Sequence, residues 1–277
     1  MGGGMRRIGT WVKPDTFSFV FLLLAILMLV FILTPLLKTC FSSSPGTIWN
    51  TLLEKDVYLS ILLTATCGLL ATLVGLVLGV PLAYLLARHN FRGKRLLESL
   101  IDVPIVIPHS AAGIALLFVF GKQQIFGQFF YKIGIRFVDT LAGVIIAMMF
   151  VSVPFLIDSV RDGFKSVDVR LENVARTLGA SRWRTFWLVS LPLTWRSVVS
   201  GSIMMWARAI SEFGAILILA YHVPFFGGHP AVAPVLIFER FSNFGLDAAR
   251  PIAVLVIVIS LIAFVALRTL ATKEAKP

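Results

Sequence analysis

Two short stretches hold the residues able to act on a charged solute. Trp206-Ala207-Arg208-Ala209-Ile210-Ser211-Glu212-Phe213-Gly214 lies inside an apolar run. Arg208 and Glu212 are four residues apart, which on a helix places them on one face within pairing reach. A charge near mid-bilayer costs about 2.5 kcal/mol or more, so both must face protein or a water-filled path. Two roles stay open: a self-neutralising pair that braces helices, and contact with a passing anion. Glu212 alone would repel an anion, which supports pairing. The second stretch, Asp102-Val103-Pro104-Ile105-Val106-Ile107-Pro108-His109-Ser110, opens another apolar run. Its two prolines at i, i+4 predict an irregular, protein-buried start. His109 is either a satisfied interior histidine or a pathway group. Ser110 and Ser211 carry hydroxyls that suit an oxyanion and equally suit helix packing. Asp102 fits a cap or a pairing with nearby backbone at the membrane boundary.

Covalent chemistry is missing from the pattern. There is no G-x-x-x-x-G-K-[ST], no H-E-x-x-H and no G-x-S-x-G. The four histidines, His89, His109, His222 and His229, lack metal-ligand spacing, and Cys40 and Cys67 make no disulfide framework. The reading is therefore of a chain with no catalytic residue, no metal and no cofactor of its own.

The elements that must position these residues are apolar helices. Of 277 residues, 58% are hydrophobic and 14% charged, against about 45–50% and about 25% in a soluble domain. An all-α polytopic membrane protein follows, a single transmembrane domain over 1–277, with spans at about 17–37, 57–87, 99–120, 139–160, 198–220 and 249–270. The first is longer than a signal-peptide core and no A-x-A site follows it, so it reads as a retained helix. Gly68, Thr72, Gly75 and Gly79 put small residues on one stripe of the second, where another helix can approach. Pro81 is expected to kink that helix, and Pro154 to break the fourth.

The longest polar interruption is the loop 161–192, between the fourth and fifth spans. Leu171, Val174, Ala175 and Leu178 recur at helical spacing, with Glu172 and Asn173 between them. Gly179 sits where a helix end takes a left-handed residue, and Ser181 is placed to cap a second helix bearing Trp183, Phe186 and Trp187. Two short amphipathic helices joined at a glycine result. Pattern alone allows them to lie on lipid headgroups or to dock on a protein.

Charge location sets the orientation. Lys and Arg number three in 1–16, four in 88–98, seven in 161–197 and three in the tail, against seven in the connections on the other side. The positive-inside rule places both termini and the 161–197 loop in the cytoplasm. The net charge of +11 follows these loops, so no nucleic-acid partner is called for.

Gly179 followed by Val189, Leu191 and Pro192 resembles the G-x9-I-x-L-P half of the "EAA" loop of ABC-importer permeases. Asn173-Val174-Ala175 occupies the acidic triplet, with the acid one place earlier at Glu172. Asp102 to Gly121, Arg176 to Leu193 and Ala207 to Ala215 together resemble permeases of the molybdate/tungstate and sulfate branch of type I ABC importers; the I-P-H and S-E-F-G forms are most similar to archaeal-type molybdate/tungstate permeases. The resemblance covers about Val57 to the C-terminus. It implies a homodimer in a prokaryotic plasma membrane, two ATPase subunits that hold ATP and Mg, and an extracytoplasmic oxyanion-binding protein. It further implies that Glu172, Asn173, Val174, Ala175, Leu178, Gly179, Ala180, Trp183 and Pro192 serve ATPase coupling. Pro108, His109, Ser110, Arg208, Ser211 and Glu212 are then expected at the pathway or gate. A sulfate or thiosulfate permease, an ATP-independent anion channel or secondary transporter, and a membrane scaffold or enzyme are the competing readings.

Overall fold

The computed structural model describes residues 16–273. By backbone contacts the chain divides into residues 1–44 and residues 45–277. The first unit holds helix α1 (Thr16–Cys40), 25 residues with a mean hydropathy of 3.0. At 1.5 Å per residue it reaches about 38 Å, enough to cross a bilayer core. The Thr34 and Thr39 hydroxyls donate to the carbonyls of Val30 and Pro35, so both are satisfied within the helix.

The second unit begins with α2 (Pro45–Leu53) and the long α3 (Lys55–Arg88). The 34 residues of α3 run about 51 Å, well beyond the hydrocarbon. Pro81 is accommodated inside it without ending it. Two helices pack on α3: α7 (Leu141–Ser166) and α10 (Leu191–Ile210). The small-residue stripe is their seat. A side chain at Gly68 would meet Ile210 at 2.7 Å, one at Gly75 would strike the thioether of Met205, and one at Gly79 would touch Leu156 and Ile157. α7 starts on a Thr140 cap, whose hydroxyl accepts from Gly143 N at 3.3 Å. Pro154 is absorbed within α7, which continues past the expected end at 160 to Ser166.

The expected span 99–120 is two helices, α4 (Lys94–Val106) and α5 (His109–Phe120), bent by 114°. Pro108 supplies no backbone donor and drives the residue before it out of the helical region, and Ile107 is extended at φ −71°, ψ 147°. A short α6 (Ile125–Lys132) precedes α7. The loop after α7 folds into α8 (Val169–Thr177), α9 (Arg182–Thr185) and one π-helical turn, Phe186–Ser190, which runs directly into α10. The expected span 198–220 is also broken: α10 ends at Ile210, and α11 (Gly214–Leu219) begins after three non-helical residues. A two-residue turn at Phe226-Gly227, α12 (Ala233–Phe244) and α13 (Leu246–Lys273) complete the described chain. Among the described residues α1, α3, α7 and α13 are long and apolar enough to cross a membrane, with a fifth crossing if the bent α4–α5 pair is one span.

Two apolar clusters lie along α3 and α7. One joins Leu63, Ala112, Leu116, Met148, Ala209, Ile216 and Leu219, drawing in α5 and α11. The other joins Val80, Leu86, Leu156, Phe164, Val198 and Met205. On α10 the boundary falls between Met205 and Ala209, at the level of Arg208.

Candidate functional site

The break between α10 and α11 is made by Glu212 itself. Its Oε1 accepts the backbone N–H of Ala215 at 2.9 Å, taking one of the orphan donors at the start of α11. Close approach does the rest: a side chain on Gly214 would meet His109 Cβ at 2.8 Å, and one on Gly113 would meet the Ala215 carbonyl at 2.9 Å. α5 and α11 therefore pack backbone to backbone, start against start, and the Pro108 break lies beside the Glu212 break.

Charges converge there. Glu212 Oε2 lies 3.0 Å from Arg208 Nη2 and 3.1 Å from His109 Nδ1. Arg208 Nη2 is also 2.9 Å from His109 Nε2, and Arg208 Nη1 donates to Ser211 Oγ at 3.2 Å. Arg208 Nη2 lies 3.0 Å from His109 Nδ1 as well; a proton on Nδ1 lets the imidazole donate to Glu212 there and accept from Arg208 at Nε2. Glu212 is 1% exposed, whereas the side chains of Arg208 and His109 are 22% and 43% exposed. The anion is thus sealed inside and the cation stands at an open face. Ser110 and Ser211 are exposed, and Pro108 lies at the first turn of α5, its carbonyl accepting from Ala112 N. Arg208, His109, Ser211 and Glu212 form one bonded group; Ser110 adjoins it through its backbone, 3.0 Å from where a Gly214 side chain would begin. Chemically the group is a fixed, nearly neutral plug with a guanidinium edge accessible from outside. Among the described residues no three His, Cys, Asp or Glu side chains gather as metal ligands.

The 167–192 loop has a different architecture. Asp168 Oδ1 accepts from Arg170 N to open α8, and Ser181 Oγ accepts from Arg184 N to open α9. Between them Gly179 takes φ +90°, with Gly179 N donating to Arg176 O and Ala180 N to Ala175 O, the two bonds of a Schellman end. The apolar stripe of α8 faces out: Leu171 and Val174 are exposed and Leu178 is 83% exposed. Asn173, Gly179 and Pro192 are exposed as well, Ala175 and Ala180 half-buried. Trp183, 71% exposed, continues the apolar surface and stacks on Phe186.

Glu172 points the other way. Its carboxylate lies 2.7 Å from Arg88 Nη2 and 2.8 Å from Arg88 Nε, and it accepts from Ser190 Oγ at 2.8 Å and Tyr84 Oη at 3.3 Å. Arg88 closes the end of α7 by donating to the carbonyls of Phe164 and Val167. Of the residues expected to serve coupling, Glu172 is thus an internal anchor while its neighbours form the outer face. Sequence reasoning missed Arg88, Tyr84 and Ser190. Arg88 was counted among the loop cations; its place as the last residue of a long apolar run was the signal available.

Several helices long and apolar enough to cross a membrane, packed around an ion-paired group and carrying an apolar loop face turned outward, are the features of a multi-pass membrane protein. The chain belongs to the family described as the binding-protein-dependent transport system inner membrane component, which it matches over residues 75–274. Permeases of this family are the non-catalytic membrane components of their transport systems. The chain is 51% identical over 213 residues to the molybdate/tungstate transport system permease protein WtpB of Thermococcus kodakarensis, covering 77% of each chain. It is 42% identical over 255 residues to that of Methanocaldococcus jannaschii, covering 92% of this chain and 96% of the other. Its fold is similar to that of a bacterial ABC transporter involved in the import of the polysaccharide alginate, with a TM-score of 0.72 and 16% identity over 94% of this chain and 96% of the other.

Proposed function

We propose that the chain is the transmembrane permease of an ATP-driven importer of molybdate and tungstate. The observation that carries the substrate class is the 42% identity to a molybdate/tungstate permease along nearly the whole of both chains. A single permease domain then crosses the plasma membrane six times, through α1, α3, the bent α4–α5 pair, α7, the broken α10–α11 pair and α13. Both termini lie in the cytoplasm, as the Lys and Arg distribution favours. Two copies enclose the pathway, an extracytoplasmic protein delivers the oxyanion, and two ATPase subunits hold ATP and Mg.

The exposed stripe of Leu171, Val174, Leu178 and Trp183 supports ATPase docking, because a cytoplasmic loop gains nothing from leaving such residues in water. ATP binding draws the paired loops together and rocks the spans outward; hydrolysis returns them. The plug of Arg208, His109, Ser211 and Glu212, with Pro108 and Ser110 at its edge, forms the gate. Glu212 holds Arg208 neutralised until the helices part, and Arg208 then faces a divalent oxyanion. The test is uptake of labelled tungstate into vesicles carrying this chain, a candidate ATPase and a binding protein. Competition by molybdate and not by sulfate is expected. Equal competition by sulfate refutes the substrate, and uptake that ignores ATP in the assembled complex refutes the permease mechanism.

A further inference from the structure

We propose that Arg88 is a positioning residue for energy coupling: its buried pair with Glu172 welds α8 to the ends of α3 and α7, so that a displacement imposed on α8 is delivered to α3. The inference rests on the ATP-driven reading above and adds the path by which the loop's motion enters the membrane.

Glu172 is the one buried residue of α8; the flanking residues from Val169 to Gly179 are exposed or half-buried. A helix held so sparsely would swing when pushed unless that single attachment fixed its angle. The Arg88–Glu172 contact does so. Two guanidinium nitrogens meet one carboxylate oxygen, and Ser190 and Tyr84 hold the carboxylate from two other sides. The rest of the guanidinium is spent on Phe164 O and Val167 O. The side chains are 8% and 9% exposed, so water cannot substitute for any of these partners. A simple apolar peg would resist separation but allow rotation; a forked pair with fixed third parties resists both. Tyr84 packs edge-on against Phe164 and Phe186, closing the surrounding cage.

The receiving element is suited to carry the motion. α3 is one continuous helix from Arg88 to Lys55, and its Gly75 and Gly68 notches grip Met205 and Ile210 on α10, the residues that bracket Arg208. A push on α8 therefore reaches the charged plug through packed elements without crossing a loop.

The experiment uses the permease with its ATPase and binding protein in proteoliposomes, and reads tungstate imported per ATP hydrolysed. Glu172→Gln and Arg88→Ala are expected to keep the ATPase bound and lower that ratio about tenfold or more, within the range of ordinary coupling energies. Arg88→Lys, which keeps the charge but not the fork, recovers part of it. A loss of stability alone would reduce the amount of complex and leave the ratio unchanged, and an unchanged ratio overturns the proposal. A wild-type complex that imports without ATP overturns the underlying functional reading instead. A second measurement leaves the pair intact. Spin labels on Leu85→Cys and Arg170→Cys, both exposed positions, with Cys40 and Cys67 replaced, are expected to give the same α3–α8 distance within one copy with and without trapped ATP, while distances between the two copies change. A within-copy distance that shifts between the two states overturns the weld.

Discussion

Glu212 both pairs with Arg208 and caps the start of α11, and its replacement separates these two duties. In Glu212→Gln the amide oxygen still reaches Ala215 N, so the start of α11 keeps its acceptor. What is lost is the charge facing Arg208 at 3.0 Å. Breaking a fully buried pair costs about 3–5 kcal/mol, but Arg208 is 22% exposed and regains water. A charge-assisted hydrogen bond is worth about 1.5–3 kcal/mol, so a loss of about 2 kcal/mol is expected. Glu212→Ala also leaves Ala215 N unsatisfied in a buried site, which adds about 1–3 kcal/mol. The order is therefore wild type, then Gln, then Ala, with steps of similar size. Unfolding of the detergent-purified protein by denaturant reads these differences. Arg208→Ala combined with Glu212→Gln completes a double-mutant cycle, and the pair should cost less together than the sum of the two alone. Glutamine and alanine variants of equal stability would refute the capping role. Additive costs in the cycle would refute the ion pair as the source of the charge term.

Further expectations follow from geometry. Gly179→Val forces a β-branched residue to φ +90° in open space, costing about 1–2 kcal/mol at the α8–α9 joint with no clash; ATPase stimulation by loaded binding protein should fall while the membrane fold survives, and normal stimulation would refute a mechanical role for the joint. Gly75→Ala drives a methyl into the Met205 thioether and should lower thermal stability; adding Met205→Ala vacates that space and should return part of the loss, and failure of the pair to rescue would refute the α3–α10 contact. Trp183→Ala removes a ring that is largely exposed but stacked on Phe186, so stability should fall by no more than about 1.5 kcal/mol. Its ATPase affinity should nevertheless drop in a pull-down titration, and unchanged affinity would remove Trp183 from the docking face.

The local features of the loop were legible because local physics decides them. A left-handed glycine and a serine cap are read directly from Gly179 and Ser181, and both take the expected conformations. The start of α1 lies one residue from the expected 17, but the helix runs past the expected end at 37 through Lys38, Thr39 and Cys40. The break at Glu212 was not legible. Ala207 to Ala215 has the composition of a continuous helix, and the interruption depends on His109, about a hundred residues away in sequence, seated against Gly214. The inward turn of Glu172 was hidden for the same reason: its partners Tyr84, Arg88 and Ser190 come from three other elements. Pro108 was a visible breaker, but the 114° bend it allows is set by what α5 packs against.

The π-helical turn at Phe186–Ser190 sets the phase of everything that follows it. One residue in an α-helix corresponds to about 100° of rotation about the axis. With the turn in place, Ser190 looks inward to Glu172 while Met205 meets the Gly75 notch and Arg208 meets His109. Were the turn to tighten into plain α-helix, α10 would have to wind like a screw. Either the cytoplasmic end would lose its hold on Glu172, or Met205 and Arg208 would swing off their partners at the other end. The chain thus carries, at the foot of α10, a built-in gear tooth whose slipping would register at both ends of the helix at once.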